Sequence, residues 1–400
     1  MPSFLKLFAG ANLITQCTST SFLHLTDIHL DLDYHVGAPN KCVLGKTGLG
    51  CCRSYDIPLS GSAPAGEWGD PNCDTPFSLV NATLAWIVDN IPDLEFVTYS
   101  GDTVGHHDLS QSISKNVNTL STTASLFHTH FPNIPVLPNQ GNHDTYPIDQ
   151  TLPGVTTYMR NQLADEWAPL MSTSTAQEFY QQGYYAYPIS AYLTVVSIDT
   201  LQYDSNNIAR KKDFGPQLEW LRGIIGDARS RGTKILLIGH IFPSAGESTP
   251  MYSNTLLDIL HNSSDVIIGN LFGHSHKDQF LVSSPDVALL VSPSIMPDAR
   301  DPCFRIYSYL DTLIDYDQYC VDLARTNQQN ALYVYHDYGF ADTYGVLDIS
   351  ATSLIDVAKR LPHDSILGLD YCYHYFNMDN NTLCTPPKIA ELTNEIVLLS

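Results

Sequence analysis

Five short clusters of histidine, aspartate and asparagine stand at the ends of apolar runs. They are Asp27-Ile28-His29, Gly101-Asp102, Gly141-Asn142-His143-Asp144, Gly239-His240 and Gly273-His274-Ser275-His276. Imidazole nitrogens, carboxylate oxygens and an amide carbonyl are together the donors that suit zinc, manganese or iron. The candidate ligands are Asp27, His29, Asp102, Asn142, His240, His274 and His276. Seven are too many for a four-coordinate structural site and suit two ions sharing a carboxylate. Asp102, with its two oxygens, is the candidate bridge. Ions ~3.5–4 Å apart lower the pKa of water and neutralise phosphate oxygens, so the chemistry expected is hydrolysis of a phosphoric ester. The leaving alkoxide needs a proton. His106, four residues after Asp102, and His143, next to Asn142, are both candidate acids. Asp144, or His107 with Asp108, could orient such a histidine.

Taken singly, each cluster has a blander reading: a polar turn, a satisfied core histidine, or nothing. Their joint meaning depends on the elements that carry them. "SFLHLTDIHL", "LEFVTYSGD", "IPVLPNQGNHD", "KILLIGHIF" and "DVIIGNLFGHSH" each read as a strand ending in one cluster. "AYLTVVSIDT" and "VALLVSPS" add further strands. "SLVNATLAWIVDNI", "SKNVNTLSTTASLFHTHF" and "FGPQLEWLRGIIGDARSRG" have helical spacing. In the first of these, Leu79, Leu84, Ile87, Val88 and Ile91 are expected on one face. Alternating strands and helices predict a sheet covered on both faces, whose strand ends share one edge. Clusters far apart in the chain can then converge. If Asp27 and His29 lie on a strand, both side chains face one side, and so do His274 and His276. Whether His274 and His276 serve one ion or two stays open.

Composition narrows the function classes. Lys and Arg total 20 against 42 Asp and Glu, a formal net charge of -22. No basic run offers a platform for nucleic acid. Bound metal ions would supply the positive charge that a phosphate-handling acidic protein otherwise lacks. No apolar run is long enough to span a membrane, which leaves transient contact with a membrane surface as the expected limit. Cys42, Cys51, Cys52 and Cys73 lie in a Gly/Pro-rich stretch, Cys303 and Cys320 flank a hairpin-like segment, and Cys372 and Cys384 sit near the end. These spacings predict disulfides, with Cys17 left over. Sequons at Asn81, Asn262 and Asn380 agree with a secreted glycoprotein. Residues 1–20 read as a weak signal peptide, residues 21–325 as the catalytic domain with a disulfide-rich insertion at 36–76, and residues 326–400 as a Tyr-rich, mainly helical subdomain packed on it.

The order D-x-H, GD, GNHD, GH, GH-x-H resembles the signature of the calcineurin-like metallophosphoesterases over roughly residues 22–300. "TDIHLDLDY", Cys51-Cys52 with "GEWGDPNCD", the histidine four after Asp102, and "SPSIMPDARDPCFRIY" resemble the acid sphingomyelinase group within it. The resemblance implies a four-layer α/β/β/α sandwich with a C-terminal helical region and a dinuclear zinc site, Mn2+ or Fe2+ being alternatives. It implies metal roles for the seven ligands above with Asp102 bridging, and His106 and His143 as leaving-group acids. It implies the pairs Cys42–Cys51 and Cys52–Cys73 and a secreted, lysosomal or vacuolar setting. Gly105 stands where purple acid phosphatases carry a tyrosine, which disfavours an iron–tyrosinate site. "IFPS" after His240, and Asp301-Pro302, depart from the group where a substrate pocket could be shaped. About 20 residues precede the first strand, so the lipid-presenting saposin domain of acid sphingomyelinase is expected to be absent. Expected substrates are therefore a sphingomyelin-type lipid or a soluble phosphodiester or nucleotide. Endopolyphosphatase or nucleotide phosphatase activity is the alternative, and a non-catalytic secreted binding protein the remote one.

Overall fold

Alternate residues of the central strands turn to opposite sides. Val195, Leu236, Ile238, Leu271 and Leu290 enter one buried cluster, while Val196, Leu237, Phe272, Leu289 and Val291 enter another. The computed structural model describes residues 19–43, 50–106, 111–209, 215–244, 246–283, 285–376 and 384–397. Nearly all of the expected leader, Cys17, His107, Asp108 and Asn380 lie outside the described residues.

In chain order the elements are β1 (Thr20–Leu25), α1 (Phe77–Asn90), β2 (Leu94–Tyr99), α2 (Ile113–His130), β3 (Val136–Pro138), α3 (Val155–Trp167), α4 (Thr173–Gln182), β4 (Tyr185–Pro188) and β5 (Leu193–Ser197). There follow α5 (Gly215–Arg231), β6 (Lys234–Ile238), α6 (Pro250–His261), β7 (Ile267–Phe272), β8 (Gln279–Ser283), β9 (Val287–Val291), β10 (Cys303–Tyr309) and β11 (Leu313–Val321). The last are α7 (Leu323–Gln329), β12 (Val334–Gly339), α8 (Phe340–Tyr344), α9 (Ala351–Arg360), α10 (Ser365–Phe376) and α11 (Pro386–Glu395).

The strands form two six-stranded mixed sheets, ordered β12-β11-β10-β1-β2-β3 and β4-β5-β6-β7-β9-β8. Within them β1, β2 and β3 run parallel, as do β5, β6, β7 and β9. Leu218, Leu221 and Ile225 of α5 and Leu256 and Leu260 of α6 cover the second sheet. On α1, Val80, Leu84 and Ile87 join the other cluster. The sheets stack closely: a Cβ added at Gly269 of β7 would strike Leu313 of β11. The result is the expected α/β/β/α sandwich. On α1 the buried residues are Leu79, Val80, Thr83, Leu84 and Ile87, whereas Val88 is 44% exposed. Val88 lies about a quarter turn beyond the centre of the apolar stripe, so the stripe excludes it.

Four disulfides link Cys42–Cys51, Cys52–Cys73, Cys303–Cys320 and Cys372–Cys384. The third joins directly opposed residues of the antiparallel pair β10–β11. The segment after residue 325 adds β12 to the first sheet, and its Tyr338, Phe340, Leu354 and Tyr371 belong to the large core cluster. A buried polar network ties it down. Arg305 bonds Asp278 at 2.5 Å, Tyr338 donates to the other oxygen of Asp278 at 2.8 Å, and Arg305 lies over the Tyr316 ring at 4.1 Å.

His24 of β1 is fully buried against Thr98, Nδ1 to Oγ1 2.8 Å. Burial, and next the charge of Arg305, push its imidazole down to about 3. The unfolded chain takes up a proton near pH 6.5 that the folded chain refuses, so this group removes stability as pH falls through that value. Between pH 7 and 5 the wild type should lose about 2 kcal/mol more than His24→Gln in urea unfolding with disulfides intact. Equal losses would mean that folded His24 does take up the proton.

Candidate active site

The donors stand just past the strands, not on them. β1 ends at Leu25 and β7 at Phe272, so Asp27, His29, His274 and His276 all lie in the following loops. Strand alternation therefore does not explain how these side chains reach the site. The backbone does: Asp27 (φ 50), His29 (φ 44), Asp102 (φ 57), His274 (φ 75) and His276 (φ 61) are all left-handed. Non-glycine residues in that region cost about 1–3 kcal/mol each and persist where surrounding contacts over-determine them. Those contacts are visible. The loop after β1 bonds the loop after β2 through Asp27 N to Gly101 O (2.9 Å), His29 N to Asp102 O (2.9 Å) and Leu30 N to Thr103 O (2.7 Å). Gly101 and Gly141 touch backbone to backbone, and a Cβ at Gly141 would overlap Asp102. A Cβ at Gly273 would overlap Thr26 and Asp27. Gly141 and Gly273 serve close approach, whereas Gly101, at φ 95, serves both the close approach and the left-handed turn.

Asp144 sits in the 3₁₀ turn Asn142–Asp144. Its two oxygens accept the backbone N–H groups of Gly141 (2.8 Å), Asp102 (3.1 Å), Thr103 (2.7 Å) and Val104 (3.1 Å). It clamps two donor loops together. Among the described contacts it does not orient a histidine, as the sequence suggested, because the crowded loops present it with backbone donors instead.

Seven predicted donors come together in two groups. Asp27, His29 and His276 form one, and Asp102, His240 and His274 the other, each with one donor atom per residue within 4.8 Å of the rest. His29 Nε2 and His276 Nε2 face each other at 3.0 Å, and Asp27 Oδ1 lies 3.5 Å from His276 Nε2. In the second group Asn142 Oδ1 lies 2.9 Å from His240 Nε2 and 3.0 Å from His274 Nδ1. Asp102 Oδ2 belongs to both, 3.4 Å from His29 Nε2 and 3.3 Å from His240 Nε2. A single oxygen faces both groups, because Oδ1 accepts the His143 N–H at 2.9 Å. His274 and His276 thus fall into different groups, the question the sequence left open.

The donor chemistry fits a pair of divalent cations. His29 and His240 engage backbone carbonyls through Nδ1, at Val104 O (2.9 Å) and Ser100 O (2.8 Å), which leaves each Nε2 lone pair aimed inward. Burial, and next the neighbouring His106, hold His29 well below the usual imidazole range, in the neutral form a metal requires. Burial alone would raise Asp102, yet His240, His143 and His29 hold it ionised, well below the carboxylate range. Asp149 accepts from Asn142 Nδ2 at 2.8 Å, which turns the amide oxygen toward the histidines.

Both candidate acids lie beside the first group. The His106 ring stacks on His29 at 4.2 Å and lies 4.3 Å from the His143 ring. His106 Nδ1 meets Asp74 Oδ1 at 2.7 Å, whereas His143 Nδ1 is buried with no partner among the described residues. Burial, and next the His106 charge, push His143 down to about 3. Sequence reasoning missed Asp74, Asp149, Glu247, which meets His274 Nε2 at 3.1 Å, and Asp298, which meets His276 Nδ1 at 3.3 Å. Asp74 and Asp298 lie inside the stretches "GEWGDPNCD" and "SPSIMPDARD", where a signal was present. Asp149 and Glu247 lie in loops with none.

This geometry coincides with a family match: the calcineurin-like phosphoesterase model covers residues 20–278. The chain belongs to the calcineurin-like phosphoesterases. Among relatives of this phosphoesterase, Sphingomyelin phosphodiesterase A of Dictyostelium discoideum is 31% identical over 367 residues, 87% of this chain and 61% of that one. The Homo sapiens Cyclic GMP-AMP phosphodiesterase SMPDL3A is 29% identical over 393 residues, 91% of this chain and 84% of that one. The Homo sapiens Acid sphingomyelinase-like phosphodiesterase 3b is 29% identical over 388 residues, 88% of this chain and 82% of that one. This phosphoesterase therefore spans about three fifths of the Dictyostelium relative's length and most of the two human ones. Among the described residues no helix is long and apolar enough to cross a membrane.

Proposed function

We propose that the chain is a dinuclear-metal phosphodiester hydrolase of the acid sphingomyelinase-like type. The observation that carries this reading is the pair of donor groups sharing Asp102 Oδ2, with two histidines beside one of them. Asp27, His29, His276 and Asp102 would hold one ion, and Asp102, Asn142, His240 and His274 the other. Zinc suits this imidazole-rich set best, with Mn2+ or Fe2+ as substitutes. Ions bound there supply charge neutralisation at the phosphate oxygens and activation of water.

The chain's own residues do the rest. Asp102 stays ionised and common to both groups. Asp149 fixes the amide of Asn142, and Val104 O and Ser100 O fix the tautomers of His29 and His240. His106, with Nδ1 engaged by Asp74, has Nε2 available to give a proton to the leaving oxygen. The four disulfides support a secreted or lysosomal/vacuolar location. The names of the relatives support a phosphodiester substrate, lipid or soluble, over a monoester or polyphosphate.

The test is metal content by mass spectrometry together with turnover of sphingomyelin vesicles, a cyclic dinucleotide, bis-p-nitrophenyl phosphate, ATP and polyphosphate, at about pH 5 and 7. Two ions per chain and turnover of a diester are expected. A metal-loaded protein that turns over none of the five, or polyphosphate alone, would defeat the phosphodiesterase reading.

A further inference from the structure

The Cys52–Cys73 disulfide stands one residue before two buried charges that meet, Arg53 after Cys52 and Asp74 after Cys73. Arg53 Nη2 lies 3.3 Å from Asp74 Oδ2, and its Nε donates to Asp31 Oδ2 at 2.9 Å. Asp74 is fully buried and Arg53 only 4% exposed. Asp74 holds His106 at two points: Oδ2 accepts the backbone N–H at 2.8 Å, and Oδ1 meets ring Nδ1 at 2.7 Å. The next residue joins this clamp to the metal loop. Thr75 N donates to His29 O at 3.0 Å, Thr75 Oγ1 to Ile28 O at 2.6 Å, and Asp31 N to Thr75 O at 2.9 Å.

We propose that Asp74 is a positioning residue for His106, and that Arg53 and the Cys52–Cys73 disulfide are the frame that holds it in register with the donor loop. The disulfide-rich insertion then has a catalytic purpose as well as a stabilising one. A carboxylate on Nδ1 fixes the tautomer and ring plane of His106 and keeps Nε2 toward the reacting centre. Two contacts from one carboxylate, with backbone and ring together, remove the rotations by which an isolated histidine would miss its target. The frame is needed because Asp74 stands in loop and not on an element. Arg53 is shared by Asp31 and Asp74, so without it two neighbouring buried carboxylates would lose a common cation, an expensive change.

This inference rests on the phosphodiesterase reading, and its test separates the two. Asp74→Asn is compared with wild type on a diester with an alkyl leaving group and on bis-p-nitrophenyl phosphate, whose leaving group needs no proton. Metal content is measured alongside. Expected is a fall of about 10²-fold in kcat on the alkyl diester with KM little changed, under about threefold on the nitrophenyl diester, and full metal content. In a His106→Gln background, Asp74→Asn should add nothing further. Arg53→Met and the Cys52→Ala/Cys73→Ala pair should shift the same ratio of the two rates in the same direction.

An Asp74→Asn variant with wild-type rates on both esters, with equal losses on both, or with reduced metal content overturns the proposal. Unchanged ratios in both Arg53→Met and the cysteine pair overturn the frame. Should Asp74→Asn not fold, Asp74→Glu keeps the charge, moves the oxygens, and must show the same selectivity to a smaller degree; equal losses on both esters overturn the proposal here too. A metal-loaded wild type inactive on both esters defeats the phosphodiesterase reading itself.

Discussion

Asp102→Asn is expected to lower turnover by about 10³-fold or more and to reduce bound metal from two ions to one or none. The substitution is nearly isosteric, and an amide oxygen at Oδ1 can still accept the His143 N–H. The change is therefore confined to the charge, and to the oxygen that faces His29 and His240 at 3.4 and 3.3 Å. Asp102 lies at a point common to both donor groups, so its charge would serve both of the proposed ions. No other ligand does that: Asp27 lies with His29 and His276, and Asn142 with His240 and His274. Metal analysis and kcat/KM on a nitrophenyl diester would check the result. A thermal melt adds a third readout. Chelation should lower the melting temperature of the wild type, because bound ions stabilise only the folded chain, and should barely move Asp102→Asn. Retention of both ions with turnover within tenfold of wild type would mean that the bridging residue has been misassigned.

His106→Gln and His143→Gln should behave differently, although both histidines border the same donor group. Protonation of a leaving group by a positioned side chain contributes about 10²–10⁴-fold. Loss of His106 should therefore cost about that factor on alkyl diesters and far less on nitrophenyl diesters. His143 Nδ1 has no carboxylate partner among the described residues, and burial, and next the His106 charge, push it down to about 3, which favours the neutral ring, a much weaker acid than imidazolium. His143→Gln should lower both rates by a similar factor, whatever the leaving group. Leaving-group selectivity in His143→Gln and its absence in His106→Gln would reverse the assignment.

The sandwich and the composition of the site were legible for a definite reason. Strand ends of parallel sheets share an edge, so a donor cluster that closes an apolar run is already placed to within a loop's length. Asp27, Asp102, Asn142 and His240 follow apolar runs this way, and the glycines beside Asp102, Asn142 and His274 mark close approach. Other details were not legible. Strand alternation predicted the right convergence of Asp27 with His29 by the wrong route, since periodicity cannot signal a left-handed residue past a strand end. The orienting role read into Asp144 failed because the neighbour that matters, the backbone of residues 102–104, is some 40 residues away in sequence.

By itself the sequence determined the donor types, their number and their order along the chain, because each cluster is local and sits at a break in an apolar pattern. The tertiary structure alone decided how the donors are shared out. His29 meets His276 across 247 residues, and His240 meets Asn142 across 98. It also decided that one oxygen of Asp102 serves both groups and that Asp74 holds His106. Those are choices of side-chain direction and distance. They follow from two sheets stacked face to face and from glycine contacts between loops, which no spacing along a single chain encodes.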